Sequence, residues 1–222
     1  MKLRHFQLII LLVSITNTTV FAQDIRFGVQ AGGGVASAYN YYPDRNEYMD
    51  DASLGLPKNY IVPSYSLNLY LSIPLEDEFA IAVEPGIIQK GFLNKVVEDY
   101  DLYHNKFCLT YIHAPVLLEY GGFDIPITLS IGTEFGYLFK ARLKSNDGTD
   151  DDMMYYFRKN RLDVGLQFGV YYTYEEHLDL GLKFGNSFTN LEKLYLTDDL
   201  GNVLGSVGKK ATYLNAFVRV KL

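Results

Sequence analysis

The sequence predicts an all-β fold, an eight-stranded antiparallel up-and-down β-barrel. Three observations predict this fold. Apolar and polar residues alternate with a period of two along most of the chain, as in β-strands that have one apolar face. The connections between the alternating segments are short and long in strict turn. Glycines share the face that carries the charges, and small residues suit the inside of a narrow barrel.

The first four strands are predicted at residues 24–38, 61–74, 79–92 and 106–120. In the second of them, apolar residues at odd positions alternate with mostly polar residues at even positions. The fourth has the weakest alternation, and Pro115 stands inside it. Each segment has at least ten residues, which is long enough for a tilted strand that crosses a membrane.

The last four strands are predicted at residues 125–142, in a hairpin within residues 162–185, and at residues 211–222. The hairpin has alternating residues on both sides of a three-residue turn, Glu-Glu-His. The final strand reaches Leu222, so it can pair with the first strand and close the barrel.

The connections predict the two ends of this barrel. Short turns are expected at residues 75–78, 121–124 and 175–177. Long loops are expected at residues 39–60, 93–105, 143–159 and 189–210. Strict alternation of the two kinds places all short turns at one end and all long loops at the other.

Residues 1–22 have the pattern of a cleaved signal peptide. A basic start with Lys2 and Arg4 precedes a short apolar run, and the segment ends in Val-Phe-Ala. The apolar run is too short to span a membrane as a helix. We therefore expect a mature chain of residues 23–222 that forms a single barrel domain.

Charge and cysteine content exclude some classes of protein. The chain has 20 Lys and Arg against 26 Asp and Glu, a net charge of −6, and loss of Lys2 and Arg4 with the leader changes it to −8. Nucleic acid is not an expected partner, because its binding proteins carry a basic patch or stripe. A single cysteine, Cys108, excludes an intramolecular disulfide framework.

Two barrel architectures fit these strands: a soluble lipocalin-like barrel that carries a ligand, and an outer-membrane barrel. The glycine-rich charged face, the strand lengths and the alternating connections favour the membrane barrel. Aromatic residues near strand ends, such as Tyr120, Tyr137 and Tyr172, are typical of its interfacial girdles. The apolar face is then expected to contact lipid, and outer-membrane lipid and lipopolysaccharide are the expected partners.

The inward face of the predicted barrel carries charges of both signs. An eight-stranded barrel has no room for a wide channel, so a salt-bridged plug is favoured over an ion-selective pore. The residues of this predicted lumen network are Arg26, Glu84, Lys90, Glu119, Glu134, Lys140, Arg142, Asp163, Asp179, Lys183, Arg219 and Lys221.

Three segments resemble the PorT-like outer-membrane β-barrel proteins of Bacteroidota. These are the proline-containing, leucine-rich strand at residues 109–120, the Pro-Gly to Lys-Gly strand at 83–92, and the closing strand at 213–222. The resemblance implies an outer-membrane barrel, and it implies other envelope or secretion proteins as partners. It does not by itself imply an activity.

No enzymatic motif is recognisable in the chain, and no cofactor is expected. His104, His113 and His177 fall in a loop, a strand and a short turn, although a lipid-modifying enzyme at the barrel rim remains an alternative. The acidic segment at residues 145–152 contains weak metal candidates, but it lacks the ligand spacing of a Ca²⁺ loop. These candidates are Asp147, Asp150, Asp151 and Asp152.

Overall fold

The computed structural model describes residues 25–41, 58–75, 78–98, 101–157, 161–197 and 203–222. The predicted leader, residues 1–22, lies outside these ranges, and so does its predicted boundary. No helix in the described part of the chain is long and apolar enough to span a membrane. The strands are β1 (Arg26–Tyr41), β2 (Asn59–Tyr60), β3 (Val62–Pro74), β4 (Phe79–Val83), β5 (Gly86–Glu98), β6 (Asp101–Tyr120), β7 (Ile127–Lys144), β8 (Asp150–Asp152), β9 (Leu162–Tyr174), β10 (Leu178–Ser187), β11 (Glu192–Thr197) and β12 (Val203–Lys221).

Eight strand positions close into a ring in which all neighbours are antiparallel. The order is β1, β3, β4 together with β5, β6, β7, β9, β10 and β12. Strand β12 closes the ring on β1, with Gly28 opposite Lys221 at one end of the pairing and Tyr41 opposite Gly208 at the other. Closure leaves no open edge in the ring. The predicted eight-stranded antiparallel barrel is confirmed.

The third ring position is one bent strand made of β4 and β5. Glu84 and Pro85 separate the two parts, because proline has no N–H to donate to the ladder. The Glu84 N–H donates instead to the Pro115 carbonyl at 3.0 Å, and the Leu69 N–H donates to the Pro85 carbonyl at 2.9 Å. Glu84 is fully buried on the inner face at this bend.

The two ends of the barrel differ. At one end tight turns join the strands, and Glu175 and Glu176 between β9 and β10 have φ angles of 46° and 56°, a backbone twist that suits a hairpin. At the other end the strands continue past the positions that the sequence predicts. Residues 93–105, expected as a loop, are mostly a paired hairpin of β5 and β6. Polar residues lie on both faces there, so alternation no longer marks the strands.

Large apolar side chains cover the outside of the ring. Leu67 and Leu69 of β3, for example, are 59% and 61% exposed. Every ring position contributes such a residue, and examples in ring order are Phe27, Leu69, Ile81, Ile112, Ile131, Phe168, Leu182 and Val218. The apolar parity of the sequence therefore points outward.

Glycines on the inner face make room for rings and for close backbone contacts. A Cβ atom on Gly185 would lie 2.1 Å from the ring of Tyr213, which stands directly across in β12. A Cβ atom on Gly132 would lie 1.9 Å from the Val116 carbonyl oxygen. Both contacts are far inside van der Waals distance, so the narrow lumen depends on glycine at these positions.

A β-bulge in β7 reverses the alternation near its end. Thr110 pairs with Lys140 and Tyr111 pairs with Leu138, which leaves Phe139 as an extra residue. Leu138, before the bulge, is buried, whereas beyond the bulge Lys140 is exposed and Ala141 is buried. One extra residue in one strand produces this reversal.

An apolar cluster fills the barrel interior near the end with long connections. Phe92, Leu109 and Leu138 come from the ring, and Phe157 and Leu191 reach the cluster from the connections that follow β8 and β10. All five side chains are at least 95% buried. This end of the interior is therefore packed with apolar side chains.

Candidate functional site

Arg219 forms the centre of a buried cluster in the lower half of the lumen, toward the short turns. Its Nη2 atom lies 2.7 Å from Glu84 Oε1, and its Nη1 atom lies 3.1 Å from Asp179 Oδ2. Its Nε and Nη2 groups donate to Gln30 Oε1 at 3.3 and 3.2 Å. The guanidinium carbon lies 3.6 Å from the centre of the Tyr70 ring, a cation–π contact.

Two lysines complete the charge balance of this lower cluster. Lys183 forms an ion pair with Glu84 and donates to Gln30 Oε1 at 2.8 Å. Lys221 Nζ lies 2.8 Å from Asp179 Oδ1. Among the described residues, three cations thus meet three carboxylates in this cluster. A balanced set of this kind compensates the cost of taking charges out of water.

Glu119 is the third carboxylate of the lower cluster. Its Oε2 atom accepts hydrogen bonds from the Tyr70 hydroxyl at 2.8 Å and the Ser72 hydroxyl at 3.3 Å. Its Oε1 atom lies 3.7 Å from Arg219 Nη1. These contacts join strands β3, β6 and β12 across the lumen.

Lys90 forms the centre of a second cluster, in the upper half of the lumen. Its Nζ atom lies 2.7 Å from Glu134 Oε1 and 3.0 Å from Asp163 Oδ2. The Tyr213 hydroxyl donates to Glu134 Oε2 at 2.6 Å, and the Ser187 hydroxyl donates to Asp163 Oδ2 at 2.9 Å. The side chains of Lys90, Glu134 and Asp163 are at least 96% buried.

His113 connects the upper cluster to the strands around it. Its Nδ1 atom lies 3.2 Å from Glu134 Oε1, and its Nε2 atom lies 2.9 Å from Asn68 Oδ1. The imidazole therefore links the Glu134 carboxylate to the Asn68 side-chain oxygen.

The structure brings nine of the twelve predicted lumen residues into these two clusters. They are Glu84, Lys90, Glu119, Glu134, Asp163, Asp179, Lys183, Arg219 and Lys221. Arg26 is exposed and lines a cavity at the end with short turns.

The expectation that Lys140 and Arg142 line the lumen is wrong. Both side chains are exposed on the outside of β7, because the bulge at Phe139 shifts the alternation beyond it. Arg142 pairs instead with Asp150 at 3.4 Å, outside the ring.

Several buried polar residues of the clusters are absent from the predicted network. His113 lies on the same parity as Glu119 in β6, so its inward direction is readable from the sequence. Gln30, Tyr70 and Tyr213 also lie on inward parities, but uncharged side chains give no charge pattern that would mark them. Their role follows only from which strands face each other across the lumen.

A small polar cavity opens below the lower cluster, at the end with short turns. Its volume is about 180 Å³, and Ser72, Thr128 and Thr173 are among its lining residues. Tyr70, Tyr171 and Glu119 also line it. Above these side chains lie the two charged clusters and then the apolar cluster, so the described side chains fill the lumen in layers.

The acidic segment after β7 does not assemble a metal site among the described residues. No group of three His, Cys, Asp or Glu side chains in this part of the chain is arranged to hold a metal ion. Asp147 accepts the Thr149 N–H at 2.9 Å, which lowers the pKa of its carboxyl group. Asp150 pairs with Arg142, Asp151 is exposed, and Asp152 accepts the Met154 N–H at 2.8 Å.

The described histidines lie in separate parts of the barrel. His113 is buried in the upper cluster, and His177 is exposed in the turn between β9 and β10. His104 lies in β6 near the end with long connections. The three described histidines thus lie at different levels of the barrel, and the His104 N–H donates to Asn146 Oδ1 at 3.0 Å.

Residues 21–193 match the protein family described as outer membrane protein β-barrel domain. The chain belongs to this family. Its location is the outer membrane, and its outward apolar face contacts lipid. In barrels of this class the short turns face the periplasm and the long connections face the cell exterior.

Three solved outer-membrane proteins are among the structures that match the chain. Neisserial surface protein A is 16% identical, with 90% of this chain and 100% of that chain covered and a TM-score of 0.48. OprG of Pseudomonas aeruginosa is 13% identical, with 89% and 94% covered and a TM-score of 0.38. Ail of Yersinia pestis, in complex with a heparin analogue, is 14% identical, with 89% and 99% covered and a TM-score of 0.37. No curated protein sequence matches the chain.

Proposed function

We propose that this outer-membrane barrel is a non-enzymatic protein whose extracellular end is a surface for interaction with envelope components. The observation that carries the proposal is the filling of the lumen by buried ion pairs and apolar side chains. Lys90, Glu84 and Arg219 are each at most 2% exposed. A lumen filled in this way serves as a structural plug, which leaves the outer surface for function.

The extracellular end offers a large structured surface. β8 and β11 lie in its connections and pair with β7 and β12, and β2 pairs with β5. Tyr155 and Tyr156, beyond β8, are 79% and 74% exposed. Exposed tyrosines of this kind are common anchors in protein interfaces.

Lipopolysaccharide and other envelope or secretion proteins are the partner classes that we propose. Lipopolysaccharide surrounds the extracellular end of any barrel in this membrane. Secretion proteins follow from the resemblance to PorT-like proteins, which rests on the strand motifs at residues 83–92, 109–120 and 213–222. Membership of that narrower group is likewise our proposal.

Photo-crosslinking in intact cells tests this function. A crosslinking amino acid replaces Tyr155 at the extracellular end, and in a matched control it replaces Glu175 in an exposed periplasmic turn. We expect discrete adducts with envelope components at position 155 and not at position 175. Absence of adducts at position 155, in cells where the barrel is folded and abundant, would contradict the proposal.

A further inference from the structure

Four basic side chains form a cluster on the outer wall of the barrel, above the apolar band. Lys106 of β6 and Lys140, Arg142 and Lys144 of β7 make up this cluster, which we term the rim basic cluster. The three β7 residues are exposed, and Lys106 is partly exposed. The bulge at Phe139 turns Lys140 and Arg142 to this side.

The position of the rim basic cluster places it at the level of lipid headgroups. Tyr137 and Phe139 are 44% and 41% exposed on the same strand, and they form the last large apolar residues of its outer face. Lys140 follows directly. Side chains that point sideways from the wall at this height face the outer leaflet rather than the space above the barrel.

The positive charges of the rim basic cluster repel one another unless an anion lies between them. Lys106 and Lys144 stand directly opposite each other in neighbouring strands, and like charges in this arrangement repel. Among the described residues, no carboxylate lies within ion-pair distance of Lys106 or Lys140. Arg142 and Lys144 share one acidic partner, Asp150, at 3.4 and 3.8 Å.

The local charge also stands out against the whole chain. The protein has a net charge of −6, yet this part of the wall carries four cations against Asp150 and Asp152, which stands opposite Arg142. An anionic ligand with more than one charged group fits such an excess. Basic clusters beside a membrane recognise anionic headgroups in this way.

We propose that the rim basic cluster binds the phosphate groups of the lipid A portion of lipopolysaccharide in the outer leaflet. This inference rests on the proposed function, because it names the site for one of its partners. Lys106 and Lys140 supply the charges that have no carboxylate partner. Arg142 and Lys144 exchange their weak, exposed contact with Asp150 for the phosphate.

Native mass spectrometry of the folded full-length mature barrel in detergent micelles tests the site, with purified bisphosphorylated lipid A as the probe. The double variant Lys106→Gln/Lys140→Gln removes two charges, each worth about a fivefold change in affinity. We expect its affinity for lipid A to fall about 25-fold. Arg26→Gln, at the periplasmic end, is the control and leaves the affinity unchanged.

A second probe requires no variant. This probe is lipid A from which both phosphates have been removed. We expect its affinity for the wild-type protein to be as low as, or lower than, the affinity of intact lipid A for the double variant. The proposed site would be overturned if wild-type protein bound intact and dephosphorylated lipid A equally well. It would also be overturned if the double variant bound intact lipid A as tightly as the wild type does. Full displacement of lipid A by equimolar inositol hexakisphosphate would also overturn it, because the cluster would then bind a soluble polyanion.

The two proposals fail separately. Loss of adducts at position 155 with intact lipid A binding would refute the interaction surface and keep the lipid site. Unchanged lipid A binding in the double variant, together with strong adducts at position 155, would refute the lipid site and keep the interaction surface. Heat-dependent gel mobility of each variant verifies that the barrel is folded.

Discussion

Arg219 Nη2 lies 2.7 Å from Glu84 Oε1 inside the barrel, and neither side chain is exposed to solvent. Glu84 also pairs with Lys183, so one carboxylate serves two cations. The glutamate lies at the bend between β4 and β5, where Pro85 interrupts the ladder. The bend and the ion pairs therefore occupy the same level of the barrel and stabilise it together.

Replacement of Glu84 tests the energetic importance of this pairing. Glu84→Gln leaves Arg219 and Lys183 buried with one carboxylate fewer, and we expect the free energy of unfolding to fall by about 3 kcal/mol. Urea unfolding in lipid vesicles measures the change. The control is Glu78→Gln, an exposed carboxylate at the same end, which should change stability little. Equal stability of the two variants would contradict the account.

The hydroxyl of Tyr213 is expected to stabilise the upper cluster. It lies 2.6 Å from Glu134 Oε2 and 3.0 Å from Gln167 Oε1. Tyr213→Phe leaves these buried acceptors with fewer donors, at a cost of about 1 to 3 kcal/mol. The same unfolding assay applies, with Tyr172→Phe on the exposed outer face as the control. A loss no greater than that of Tyr172→Phe would argue against a stabilising contact.

Glycine substitutions test the tightness of the lumen wall. Gly132→Ala places a methyl group 1.9 Å from the Val116 carbonyl oxygen, and the strand must shift, at a cost of about 1 to 3 kcal/mol. Gly33→Ala, where the nearest atom is 3.9 Å away, should be neutral or slightly stabilising. The temperature at which half of each variant shifts from folded to unfolded mobility on a gel gives its midpoint of thermal unfolding. A lower midpoint for Gly33→Ala than for Gly132→Ala would contradict this packing.

Cysteine labelling tests the bulge in β7. In a Cys108→Ala background, Lys140→Cys should react with a membrane-impermeant maleimide on intact cells, whereas Ala141→Cys should not. Ala141 is fully buried and Lys140 is exposed. Uninterrupted alternation from Glu134 onward would produce the opposite labelling.

The strands that cross the membrane are the most predictable part of this protein. A polar, charged lumen on one side and lipid on the other impose a strict period of two, so the hairpin of β9 and β10 is readable from the sequence. The strand extensions at residues 93–98 and 101–105 escape prediction, because polar residues occupy both parities there. Backbone pairing continues there without an apolar face to mark it.

The charged residues of the lumen are only partly predictable. Parity marks Glu84 and Arg219 as inward, but it also misplaces Lys140 and Arg142. A single extra residue, Phe139, reverses the direction of the side chains that follow it in β7. No residue type in that stretch indicates a bulge. The rim basic cluster therefore emerges only from the structure.

Conductance of the folded wild-type barrel in a planar lipid bilayer is the most direct test of the central claim, a lumen closed by buried ion pairs. The account predicts no stable, discrete current steps from the purified protein. Steady ion-selective steps from wild-type protein, altered by Glu134→Gln or Arg219→Gln at unchanged thermal stability, would contradict it. The lumen would then be a pore lined by these charges.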